Sequence, residues 1–198
     1  MDQSARFDEA MKGFDAANAE DPNLESVDGT EMPKELLYAR RMSAWLERLE
    51  PNASEALRLA VRCQHIRRWV IPRKDYPIGR QGYKHWRKDL AAFHAETAGQ
   101  ILRDVGYDEG TIQRVGDLLI KKGLKRDPEC QLLEDVICLV FLENTFDRFS
   151  ARHEDEKVIG IVRKTWSKMS PRGHEAALQL VLPERARALV EQALSSET

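Results

Sequence analysis

Residues 132–146, LLEDVICLVFLENTF, constrain the fold more than any other part of the chain. This is the most apolar run in the sequence, and wound as a helix it has apolar residues on nearly every side. Such a helix must be enclosed rather than laid on a surface. Around it, helix start and stop signals recur and strand signals are nearly absent. Ser4 can cap a first helix in which Phe7, Met11 and Phe14 fall at helical spacing. The acidic stretch 18–30, with its Asn and Pro residues, reads as a long loop. Pro33 suits the first turn of a second helix, where its missing N–H is harmless. That helix carries Leu37, Arg40, Arg41, Ala44 and Trp45 and stops at Pro51.

Ser54 opens a third helix through Leu57, Val61 and Gln64, expected to run to about Trp69. Pro72, Pro77, Gly79 and Gly82 rule out a continuous helix over 70–82. A long helix follows at about 83–105, with Leu90, His94, Thr97 and Ile101 on one stripe, and Gly106 ends it. Residues 108–120 form another, bearing Ile112, Val115 and Leu119. Asp127-Pro128 starts the apolar helix, and Ser170-Pro171 and Pro183 mark the starts of further ones. The expectation is an all-α, multi-helix single domain over 1–198, with a core at about 33–166 and C-terminal helices at about 170–195.

A net charge of −2 conceals a strong asymmetry. Residues 58–126 hold 16 Lys or Arg against 7 Asp or Glu, so an acidic frame surrounds a basic middle. Either an anion meets that middle, or it is a solvated, cation-rich helix surface. Three cysteines, Cys63, Cys130 and Cys138, form no CxxC pair and suggest no disulfide framework. No apolar run is long enough for a membrane span, and the N-terminal MDQSARFDEAMKGF lacks the apolar core of a secretory signal. A cytoplasmic location is the default expectation.

Two polar residues fall where apolar ones are expected, and a third, His65, lies near a helix end beside two arginines. Asp135 shares a helical stripe with Leu132, Val136, Leu139 and Leu142, and a carboxylate there must be paired, hydrogen-bonded or metal-bound. Arg41 and Arg68 are candidate partners for a buried ion pair. His94 lies on the stripe of Leu90, Thr97, Ala98 and Ile101. His85, nine positions earlier, points about half a rotation away and cannot line the same site. His65, in the run RCQHIRRW, has Arg67 and Arg68 beside it. Imidazoles and a carboxylate on separate helices could hold a divalent metal, and guanidinium groups suit phosphate. The sequence has no GxGxxG, no GxxxxGK[ST] and no GxSxG. Cys63 and His65 are too close along a helix to face one another as a nucleophile pair.

The runs YARRMSAWLERL, RCQHIRRWVIPR, HWRKDLAAFHAETAGQIL and LLEDVICLVFLEN resemble the DUF4202 family, a domain of unknown function, over about 33–166. The helix order is more distantly similar to the HD-domain superfamily of all-helical, metal-dependent phosphohydrolases. That resemblance implies a histidine where Tyr38 stands, a His-Asp pair at Gln64-His65, and a final aspartate at Asp135. Only Asp135 matches in residue type, so the resemblance implies either a rearranged metal set or a lost metal.

The expected function is a divergent HD-like phosphohydrolase acting on a nucleotide or other small phosphorylated molecule. His65, His94 and Asp135 would hold Fe, Mn, Zn or Co or act as acid and base. Arg67, Arg68, Lys84, Lys121 and Lys122 would contact phosphate. The alternative is a non-catalytic nucleotide- or RNA-binding module, with Trp69, Tyr76, Tyr83 and Trp86 stacking on bases. No membrane partner is expected.

Overall fold

The structure, a computed structural model, describes residues 2–195 and is all-α apart from one hairpin. Its backbone divides into two compact units, one ending at Leu124 and the other beginning at Lys125. The boundary lies between two residues of positive φ, Gly123 at 83° and Lys125 at 73°.

In unit 1, α1 (Gln3–Ala19) buries Ala10, Phe14 and Asn18 at four-residue intervals. It packs on α2 (Lys34–Leu49), α3 (Glu55–Arg62) and α4 (Arg80–Asp104). Its approach to α4 is close: a Cβ on Gly13 would lie 2.8 Å from Ile101 Cγ2. Arg62 draws three helices together, donating to both oxygens of Asp15 at 2.7 and 2.6 Å and to Ser43 Oγ at 3.2 Å. The last helix, α5 (Glu109–Leu119), packs on α3 and α4 and is capped by Asp108, which accepts from the Thr111 N–H.

The expected loop at 18–30 contains a hairpin, β1 (Leu24–Val27) paired antiparallel with β2 (Thr30–Pro33). Asp28 and Gly29 both have positive φ, the two-residue turn that matches strand twist. Pro33 closes β2, and α2 starts one residue later. The new helix end is satisfied from the loop: Lys34 N–H donates to the Asn23 carbonyl and Glu35 N–H to Asp21 Oδ2. The third helix is also shorter than expected. Ser54 caps it, accepting from the Leu57 N–H, but it ends at Arg62. Gln64 and His65 therefore lie in the turns that follow. Arg67, at φ 50°, redirects the chain into a short 3₁₀ turn at Arg68–Val70. The long helix α4 begins at Arg80, inside the segment expected to be loop.

Unit 2 is built on α6 (Pro128–Asn144), capped by Asp127 with Pro128 at its start. Cys130, Leu133, Asp135, Val136, Leu139, Val140 and Leu142 are all buried, so the helix is enclosed around most of its circumference, as its composition demands. It packs on α7 (Phe146–Ser150) and α9 (Pro171–Leu178). The helices α8 (Asp155–Trp166) and α10 (Glu184–Ser195) meet along Val158, Val162, Ala186, Leu189 and Ala193. All three cysteines are buried and free. No helix among the described residues is long and apolar enough to cross a membrane.

Candidate functional site

The residues picked out by their unsuitable polarity fall into two different environments. In unit 2, Asp135 is only 2% exposed and its carboxylate is fully engaged. Oδ1 accepts from the Ser170 N–H at 2.8 Å and from Gln131 Nε2 at 3.2 Å, and Oδ2 accepts from Ser170 Oγ at 2.5 Å. Ser170 is in turn the N-cap of α9, accepting from the Gly173 N–H. Asp135 thus fastens the start of α9 to α6, with its charge set at a helix N-terminus. The two arginines that the sequence offered as partners have carboxylates within unit 1: Arg41 binds Glu25 and Arg68 lies beside Glu35.

In unit 1, His65 and His94 come together, with ring centroids 6.0 Å apart. His94, in the middle of α4, is 3% exposed. Its Nδ1 is 2.7 Å from the Ile66 carbonyl oxygen, which can only accept, so Nδ1 carries the proton. Burial, then the neighbouring His65, pushes its pKa down to about 3. It is a neutral imidazole with a lone pair on Nε2, and that atom is buried with no hydrogen-bond partner among the described residues. His65 stacks on Tyr38 at 4.1 Å between centroids and places Nδ1 3.2 Å from Glu35 Oε2. Tyr38 O–H donates to Gln64 Oε1.

His65 is also held neutral, well below the usual histidine range. Burial is the largest cause, followed by the positive charges of Arg68, Arg87, Lys121 and Lys34. These four cations come from four separate segments: the start of α2, the 3₁₀ turn, α4 and the turn after α5. Glu35 sits among them, its carboxyl raised above the ordinary range by burial against the opposing pull of Arg68 and Lys34. Arg68 lies over the Trp86 ring at 5.0 Å, and its Nη1 stands 3.9 Å from Glu35 Oε1. Arg68 Nε is buried and without a partner among the described residues.

Of the expected phosphate contacts, Arg68 and Lys121 therefore belong to this cluster. Arg67 is turned to Glu20 at 2.9 Å and Lys122 to Asp117 at 2.9 Å, while Lys84 is exposed on the first turns of α4. Sequence reasoning missed Glu35, Lys34 and Arg87. For Glu35 a pattern was available, because 35, 38, 42, 45 and 49 form one stripe of α2 and all but Glu35 and Tyr38 are apolar. Nothing comparable marks Lys34 or Arg87, whose charges bear on His65 from other segments of the chain.

Three His, Cys, Asp or Glu side chains converging as a metal-holding group are not found among the described residues. Within unit 1 the donor set is two imidazoles and Glu35, and Glu35 already faces His65 Nδ1 and Arg68. These residues do not fit a divalent ion. Cys63 is no nucleophile: burial pushes its thiol up, and Sγ donates to the Ala60 carbonyl. The expected base-stacking aromatics are largely committed as well. Trp86 is buried with Nε1 donating to the Ile71 carbonyl, and Tyr76 O–H donates to Asp89, which leaves Tyr83 half exposed.

The chain belongs to the family described as Domain of unknown function (DUF4202), whose profile matches residues 8–190. No curated protein and no solved structure matches it.

Proposed function

We propose that unit 1 binds a phosphorylated small molecule, such as a nucleotide, at the cluster around His65. One observation carries this reading: the Arg68 guanidinium, with Nε buried and unpaired among the described residues, stands beside the half-buried His65–Glu35 pair, where Arg87, Lys121 and Lys34 also bear on the His65 ring. Cations in excess over the single carboxyl of Glu35 are complementary to an external anion. Arg68 offers a planar donor array for phosphoryl oxygens, while Lys34, Arg87 and Lys121 neutralise its charge.

Phosphoester hydrolysis is the second reading, supported by the buried Nε2 of His94, which is unpaired among the described residues and can accept a hydrogen bond from a polar reactant. The HD-like version would add a divalent ion. RNA binding has weaker support, because three of the four candidate stacking aromatics have other roles or partial burial.

Calorimetric titration with AMP tests the binding reading. Arg87→Met should weaken binding about tenfold, and the affinity should fall as salt rises. An affinity indifferent to both changes would overturn it. Elemental analysis beside the titration decides the ion question, since stoichiometric metal lost in His65→Ala would restore the metallohydrolase.

A further inference from the structure

The cluster contains two buried polar atoms of opposite character that the protein does not pair. His94 Nε2 is an acceptor, since its neutral ring donates through Nδ1 to the Ile66 carbonyl. Arg68 Nε–H is a donor, since guanidinium nitrogens never accept. Buried groups of this kind are normally satisfied, and leaving them unpaired is unfavourable. Both belong to the same cluster: Arg68 Nη1 stands 3.9 Å from Glu35, Glu35 lies 3.2 Å from His65 Nδ1, and the His65 ring is 6.0 Å from that of His94. An anion by itself answers only the donor. A doubly charged phosphate monoester has acceptor oxygens and no hydrogen to give, so His94 Nε2 would stay unmet.

We infer that the ligand carries a free hydroxyl beside its phosphate, the phosphate lying on Arg68 and the hydroxyl donating to His94 Nε2. The class is thus a phosphorylated polyol, sugar or ribonucleoside rather than a simple alkyl phosphate. This rests on the phosphate-binding reading above and narrows it. A site built to pair a hydroxyl discriminates strongly against the analogue that lacks it, because its own buried group is then left unpaired. His94 is a ligand-contacting residue in this account, and Ile66 holds its tautomer.

The test is calorimetry at about pH 8, where phosphate monoesters are dianions. Ethyl phosphate and 2-hydroxyethyl phosphate are titrated into the wild-type chain and into His94→Asn. Asparagine keeps a donor for the Ile66 carbonyl but has no atom at the Nε2 position. The hydroxylated ester should bind wild type at least about tenfold more tightly, and the variant should bind both esters alike. Equal affinities in wild type overturn this inference and leave the phosphate reading standing. No binding of either ester overturns the phosphate reading, and the inference with it. Discrimination that survives in the variant removes His94 from the role. If the variant does not fold, the wild-type comparison alone still decides whether a hydroxyl is recognised.

Discussion

Asp135 in unit 2 and His94 in unit 1 are equally buried and equally out of place on an apolar helix face, yet their surroundings differ in kind. Around Asp135 each carboxylate oxygen meets a donor from its own unit, and Gly173 is bare so that α9 can approach. Around His94 the pairing stops halfway, with one ring nitrogen engaged and the other not. Burial of a polar group therefore says little about its role. The hydrogen-bonding capacity left over separates a structural fastening from a candidate site.

The sharpest way to break this comparison is Asp135→Ala. It removes the acceptor for both donors of Ser170, and we expect a loss of about 3 kcal/mol in urea denaturation. AMP binding by the surviving folded protein should be unchanged. A variant as stable as wild type but unable to bind would reverse the assignment and make Asp135 functional.

The second expectation concerns pH. The folded-state pKa of His94, about 3, lies below the unfolded value of about 6.5, so the unfolded chain binds more protons between those limits. Its contribution to stability is therefore present above about pH 6.5 and is lost as pH falls toward 3. From about pH 7 to 5 the loss should be roughly 2 kcal/mol for this residue. His65 acts in the same direction, while Glu35, raised in the folded state, acts in the opposite one. Urea midpoints across that interval should have a shallower pH slope in His94→Asn. An unchanged slope would mean that His94 is not held neutral.

Gly173→Ala probes the fastening from the other side. A Cβ there would lie 2.7 Å from Asp135 Oδ1, and the carboxylate is pinned by three donors, so a loss of about 1–2 kcal/mol is expected in thermal or urea unfolding. A neutral result would show that Asp135 can shift freely.

The smallest effect belongs to the cation cluster. Lys121 stands at φ 57° just past α5, a backbone region where glycine is normally found. Its N–H and that of Lys122 close the helix end on the Leu118 and Asp117 carbonyls. Lys121→Gly should stabilise unit 1 by up to about 1 kcal/mol while weakening AMP binding. A gain in both would remove Lys121 from the site.

Much of the fold was legible locally. Ser54, Asp108, Asp127 and Ser170 cap the helices that the sequence assigns to them. The hairpin was overlooked although Asp28-Gly29 is a strong turn signal, because its short strands lack apolar alternation and only Val27 and Met32 are large and apolar near the turn. The third helix was extended too far, since nothing in CQHIRR forbids helix. What ends it is a turn in which Arg67 N–H donates to Asn18 of α1, a contact 49 residues away.

Composition and periodicity by themselves determined that the chain is helical, that residues 132–146 are enclosed, and that His65, His94 and Asp135 are unusual where they stand. These properties follow from neighbours within one or two turns, and spacing along the chain reports them. Only the tertiary structure decided that Asp135 is satisfied by Ser170 and that His94 is not satisfied at Nε2. It alone gathered Lys34, Arg68, Arg87 and Lys121 around His65. Hydrogen bonds and charges act through space over a few ångströms, and the partners that decide a polar residue's role lie tens of residues away in sequence.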